Sequence, residues 1–461
     1  MPRTDNMNLP AQDISCFARR RSQLLTWMHS QGGGIAVLAT APERVRNRDN
    51  HYTFRHDSDF YYLTGFTEAN AWLVLIAGQE DRSMLFCEGK HPERELWDGV
   101  RWGPQAAAEH FGFDQAQDVS ELDLSLPSLL VGTPRMFTIL SGPNSPELLT
   151  RIQNWSAAAR ATVRGSRAVP HQWTDLSEVI AEMRLIKDAA ELHTMRAAAA
   201  ISAQGHVRAM QVARPGRHEY ELEAELLHVF RKHGAQSVAY DSIVATGANA
   251  CVLHHRAGNA IMHDGDLVLI DAACELDGYA SDITRTFPAN GKFSGPQRAL
   301  YDIVLAAQRA AADLTSPAER WDAGHDAAVK VLTQGLLDEG LLQGSLDGAI
   351  ETGAFQPFYM HRTGHWLGMD VHDVGSYREP PASNEDRPWR MLQAGMVLTI
   401  EPGLYVRRSD TVPEQFWNIG IRIEDDAVVT SAGCELITRG VPVEADEIEA
   451  IMRNHAIVSP S

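Results

Sequence analysis

LVLIDAACELDGYASDITRTF occupies residues 267–287. The apolar run LVLI ends in a carboxylate, Asp271, and a second one, Asp282, follows in the same stretch. Asp277-Gly278 between two alternating segments predicts a two-residue hairpin turn. That register sets Asp282 opposite Ala273, and Ala273 shares a face with Asp271 two positions away. Both carboxylates then project from one face of a hairpin, and Thr284 and Thr286 continue that face. Taken alone, the pair equally describes a hairpin whose aspartates face water.

The pattern recurs downstream. In MVLTIEPGLYV (396–406), Glu401 ends an apolar run as Asp271 does. In WNIGIRIEDDAVVT (417–430), Ile419, Ile421 and Ile423 alternate with Gly420, Arg422 and Glu424. Arg422 and Glu424 therefore share a face, where the guanidinium can hydrogen-bond a carboxylate. Unpaired buried carboxylates are each unfavourable by several kcal/mol, on the order of magnitude. Four of them call for divalent cations. MHRTGHWLGMDVHDVG (360–375) adds His361, His365 and His372. It is not a zincin helix, because Arg362 stands where H-E-x-x-H needs Glu. A carboxylate-dominated set suits manganese or cobalt better than a thiolate-type zinc site does.

LHHRAGN (253–259), the 267–287 hairpin, HWLGMDVHDVG (365–375), EPGLY (401–405) and GIRIEDD (420–426) together resemble the bacterial aminopeptidase P (Xaa-Pro aminopeptidase) family of pita-bread metallopeptidases. RHDSDFYYLTGF (55–66) resembles that family's amino-terminal domain. The resemblance implies an α/β chain: a smaller amino-terminal α/β domain with a mixed sheet, and a carboxy-terminal pita-bread domain with pseudo-twofold symmetry. It implies two divalent ions, manganese favoured over cobalt or zinc. Asp271 would chelate one ion and His365 and Glu401 the other, with Asp282 and Glu424 bridging. The implied reaction releases the first residue of peptides with proline in second position, through a hydroxide held by the metals. Glu401 would carry the proton, and His372 and His254 would contact substrate and stabilise the tetrahedral intermediate. His361 and Arg422 are further candidate substrate contacts. Asp49 and Trp97 are candidates to reach the cleft of a neighbouring subunit in a homodimer or homotetramer. Prolidase is the nearest alternative. A metal-free pita-bread binding module is the alternative of another class, disfavoured because all five ligand positions are kept.

The surrounding chain agrees with this reading. Its 461 residues exceed one ordinary core, which predicts two domains, 1–174 and 175–461. GIAVLAT and AWLVLIAG read as buried strands of the first, GPQAAAEHFGF as a short helix and GSRAVPHQW as a loop. Asp175 and Asp188 each precede a Glu by three positions, as at capped helix starts. The second domain alternates helices (HEYELEAELLHVFRKHG with Leu222, Leu226, Leu227 and Phe230 as its stripe) with strand pairs. Two helix-then-hairpin blocks form a weak internal repeat. A net charge of −19, from 60 acidic and 41 basic residues, argues against nucleic-acid binding. Five cysteines without C-x-x-C predict no disulfide framework and fit the cytoplasm. The start lacks an apolar signal region and reads as a loose tail, and no run is long enough to span a membrane.

Overall fold

The computed structural model describes residues 14–142, 145–163, 169–379 and 387–456. The expected loose tail lies outside them, as does part of the expected loop GSRAVPHQW. The chain divides into two compact units, 1–184 and 185–461.

The amino-terminal unit is built on a six-stranded mixed sheet. In spatial order its strands are Gln115–Asp118, Arg82–Cys87, Trp72–Ala77, Gly34–Ala39, Arg135–Thr138 and Gln172–Asp175. The two pairings among the three strands within 34–87 are antiparallel, and the other three pairings are parallel. Ile35, Val37, Trp72 and Val74 pack one face against Leu122, Leu126, Leu130, Ile152 and Trp155 of two helices. The end of GSRAVPHQW is thus an edge strand rather than loop. The helix Ser177–Leu185 follows that strand. Its Arg184 meets Asp59 at 2.6 Å, and the Met183 carbonyl accepts from the Tyr62 hydroxyl. These contacts carry the unit about ten residues past the boundary expected at 175.

In the carboxy-terminal unit, the helices Ala189–Val212 and Glu219–Lys232 precede the first hairpin, and Gly295–Asp313 and Ala323–Asp338 precede the second. This is the expected pita-bread repetition. Asp188 forms the full capping box with Glu191, whereas Asp175 instead accepts from the Ser177 backbone and hydroxyl. Leu222, Leu226 and Phe230 are buried, but Leu227 is exposed. No disulfide joins the five cysteines. Among the described residues no helix is long and apolar enough to cross a membrane.

The hairpin register follows from its turn. Asp277 and Gly278 both have positive φ, 48° and 79°, the twist that a two-residue hairpin of right-handed strands requires. Leu276 pairs with Tyr279 at the tip, and Asp271 pairs with Thr284 further down. Between them Ala273 faces Asp282, as the sequence predicts. The second hairpin obeys the same rule. Gly403 pairs with Arg422 and Ile400 with Asp425, so Glu401 faces Glu424. The two hairpins are stitched together: Glu424 N–H donates to Thr284 O at 3.1 Å, and Thr286 Oγ1 donates to Arg422 O at 3.1 Å. Buried Arg285 adds an ion pair to Asp425 at 2.7 Å. These bonds bring four hairpin carboxylates from two distant segments to one place.

Candidate metal centre and active site

His365 reaches the carboxylates because its segment pairs with the second hairpin. Thr399 N–H donates to His365 O, and Glu401 N–H to Thr363 O, at 2.9 and 2.7 Å. Gly364 is required there, since a methyl group would collide with the Thr399 carbonyl. With Nδ1 bound to Trp366 O at 2.9 Å, the Nε2 edge faces the carboxylates. Nε2 lies 3.4 Å from Asp282 Oδ2 and 3.7 Å from Glu401 Oε1. Ligand atoms of Asp282, His365 and Glu424 all fall within 4.8 Å of one another. Asp271 and Glu401 line the same cavity of about 650 Å³, together with His254, His361, His372 and Arg422.

The electrostatics show what the cluster lacks. Burial, together with Asp282, Glu401 and Asp271, pushes Glu424 well above the usual carboxylate range. Burial likewise raises Asp282, against the pull of His365, and Asp271 adds to the rise. Glu401 is raised to about 7 by burial, although His365 and Arg422 draw it back. For His365, burial opposes the charge, but Asp282 and Glu401 raise the imidazole to about 9. Crowded carboxylates whose charge is disfavoured by burial and mutual repulsion, and a histidine drafted as their counter-charge, are short of positive charge. Oxygen donors with one imidazole and no thiolate suit hard or borderline divalent ions. The residues present therefore fit a divalent metal centre.

Arg422 is placed behind the carboxylates. Its guanidinium donates to Asp271 Oδ2 at 2.6 Å, Thr284 Oγ1 at 3.0 Å and the Tyr405 hydroxyl at 2.8 Å. Its main contacts hold Asp271, which matches the expected carboxylate bond more than the expected substrate contact. His361 lines the cavity, but both ring nitrogens are engaged, with Arg362 O at 2.8 Å and the Tyr405 hydroxyl at 2.9 Å. His372 is exposed and its ring centroid lies 4.2 Å from that of His365. His254 is exposed at the cavity, while His255 turns away to Glu219 at 2.8 Å. Asp49 and Trp97 belong to the amino-terminal unit, where both are exposed, Trp97 by 88%.

Sequence reasoning missed two tyrosines. The Tyr240 hydroxyl lies 2.6 Å from Asp271 Oδ1 and 2.5 Å from Asp282 Oδ1. Nothing in its neighbourhood, SVAYDS, signals this. Tyr405 had a signal, because alternation puts it on the face of Glu401 within an otherwise apolar strand.

The family described as Metallopeptidase family M24 matches residues 193–431, and Aminopeptidase P, N-terminal domain, matches 17–137. The chain is 41% identical over 439 residues to a Xaa-Pro aminopeptidase of Haemophilus influenzae, covering 95% of this chain and 96% of that one. It is 42% identical over 441 residues to the Xaa-Pro aminopeptidase of Escherichia coli, covering 95% and 97%. It superposes on the structure of Pseudomonas aeruginosa aminopeptidase PepP with a TM-score of 0.92, at 47% identity, covering 96% and 99% of the two chains. E. coli aminopeptidase P with the inhibitor Pro-Leu gives a TM-score of 0.91 at 41% identity, covering 97% and 100%. With its carboxylate-histidine centre in place and both halves matched, the chain belongs to the M24 metallopeptidases and, among them, to the bacterial aminopeptidase P family.

Proposed function

We propose that this protein hydrolyses the bond between the first residue and proline in peptides beginning Xaa-Pro. The observation that carries the reading is the convergence of Asp271, Asp282, His365, Glu401 and Glu424 on one cavity, in a chain so similar to Xaa-Pro aminopeptidases over nearly its whole length. Two divalent ions, manganese by preference and cobalt or zinc as substitutes, would be held by those five residues. When bound, such ions act as Lewis acids that make water nucleophilic near neutral pH and polarise a carbonyl.

The chain's own groups have separable tasks. Glu401 presents its carboxylate to the cavity and can take a proton from water and return it to the departing proline nitrogen. An imidazole N–H of His254 or His372 can donate to the oxygen on which charge develops. Arg422, with Tyr405 and Thr284, fixes the orientation of Asp271. Val371, Leu253 and Ile243 supply an apolar wall. Proline nitrogen carries no N–H in an Xaa-Pro bond, so recognition cannot rest on that donor. We further propose that the protein works in the cytoplasm as a homodimer or homotetramer. Exposed Leu96, Trp97 and Val100 support such an assembly.

Kinetics on Ala-Pro-Ala and Ala-Pro test this, after chelation and reconstitution with manganese. The expected outcome is metal-dependent release of alanine, with the higher kcat/KM on Ala-Pro-Ala. The dipeptide would bring a free carboxylate beside a site built of carboxylates. A clear preference for Ala-Pro would move the assignment to prolidase, and binding without hydrolysis would mark a binding module.

A further inference from the structure

His254 reaches the cavity from a turn just past the short helical segment Gly247–Cys251. What holds it is a carboxylate outside the cavity. Glu219, the first residue of the helix Glu219–Lys232, is fully buried. Its Oε1 accepts from Thr246 N–H and from Asn249 Nδ2, each at 2.9 Å. Its Oε2 accepts from His255 Nε2 at 2.8 Å and from Gly258 N–H at 3.1 Å. A carboxylate offers about four acceptor sites, and all are used. Three of the partners can only donate, so the anionic form is the one that satisfies the site, with Nε2 of His255 carrying its proton. The helix N-terminus supplies further positive potential.

The four donors come from both sides of His254. Thr246 and Asn249 precede it and His255 and Gly258 follow it. Backbone bonds continue the clasp, from Tyr220 N–H to Gly258 O and from Glu219 N–H to Ala260 O, both at 3.1 Å. At the outer edge Arg256 pairs with Asp241 at 2.5 Å, but both side chains are exposed and such a pair holds little. His255 N–H bonds Val252 O at 3.2 Å, closing a turn from which His254 and His255 leave in different directions, His254 to the cavity and His255 to Glu219. Anchoring His255 inward therefore turns His254 outward, to the cavity.

We propose that Glu219, acting through His255 and the 246–258 segment, is a positioning residue that sets His254 for the reaction. This rests on the reading of the cavity as a peptidase site. Glu219 does not itself line the cavity; its partner Thr246 ends the strand Ile243–Thr246, which pairs with the strand ending in Asp271, and a double-mutant cycle with His254 separates that route from the one through His254.

The test is a double-mutant cycle on manganese-loaded protein. Glu219→Gln places an amide N–H₂ against donors, and it should lower kcat on Ala-Pro-Ala about ten- to a hundredfold with metal content unchanged. In a His254→Ala background the same substitution should change kcat less than about twofold, because the residue it positions is gone. His255→Ala should repeat the pattern more weakly and serves if Glu219→Gln folds poorly. Hydrogen exchange gives a readout independent of turnover. The 246–258 segment should exchange faster in Glu219→Gln, and the 267–287 hairpin should not. Equal kcat losses with and without His254 would overturn the proposal, as would unchanged exchange in 246–258. Failure of the peptidase reading looks different, since the wild type would then not cleave Ala-Pro-Ala while the exchange result still decided whether Glu219 holds the segment.

Discussion

Asp271 and Asp282 share one hydroxyl, that of Tyr240, at 2.6 and 2.5 Å. A hydroxyl has a single proton and cannot donate to both. Of the two, Asp282 is pushed up by burial and by the neighbouring Asp271. Tyr240→Phe removes this bond without replacing a proposed metal-binding residue. A hydrogen bond to a charged group contributes about 1.5 kcal/mol, so kcat should fall about tenfold at saturating manganese. An unchanged kcat would mean that the hydroxyl serves only to keep the aspartates apart before metal arrives.

The protein should hold two divalent ions per chain at full activity, and their removal should lower its melting temperature. Binding to the native state alone stabilises it by about 2.7 kcal/mol at a hundredfold excess over Kd. Elemental analysis after dialysis, with melts before and after chelation, checks both. Full activity in a sample without metal would sink the metal-centre reading.

Glu401→Gln should remove most turnover and leave the fold intact. The amide keeps the shape but gives up a metal-binding oxygen and the proton carrier, so a loss of several powers of ten is expected, on the order of those seen for catalytic acid–base groups. Kcat and a melt are read on the same metallated sample. Near-normal kcat would assign the proton to another group.

Arg422→Ala should weaken metal binding about 10–100-fold, because Asp271 loses the group that orients it. Arg422→Lys should rescue little, since an ammonium cannot reproduce a planar fork directed at Asp271, Thr284 and Tyr405. Metal titration by calorimetry decides the matter. Unchanged affinity with a raised KM would return Arg422 to the role of a substrate contact.

His206 should contribute an acid sensitivity. Burial lowers its imidazole to about 4, against the pull of the Ala272 carbonyl that it bonds at 2.8 Å. The unfolded imidazole titrates near 6.5, so the unfolded state takes up its proton first as pH falls. Stability is therefore lost from about pH 6.5 down to about pH 4, by about 2 kcal/mol at pH 5. His206→Gln keeps a donor for Ala272 and cannot titrate. Its denaturation midpoint should fall less than that of the wild type between pH 7 and pH 5. Metal release affects both proteins and cancels in the comparison.

The sequence by itself determined what depends on neighbours along the chain. Asp277-Gly278 specifies the turn, the turn specifies the register, and the register places Asp271 and Asp282 on one face, because side chains alternate with a period of two. The same alternation put Arg422 and Glu424 together. Only the tertiary structure decided which hairpin meets which. The Arg422–Asp271 bond spans 151 positions, and the Tyr240 bonds to Asp271 and Asp282 span 31 and 42. No local rule connects such residues, since their meeting depends on how two hairpins and a loop pack. The same holds for the helix Ser177–Leu185, whose allegiance rests on Asp59 and Tyr62 more than a hundred positions away. It holds again for His254 and His255. Their adjacent places in the chain do not tell them apart; the buried carboxylate of Glu219 takes His255 and leaves His254 to the cavity.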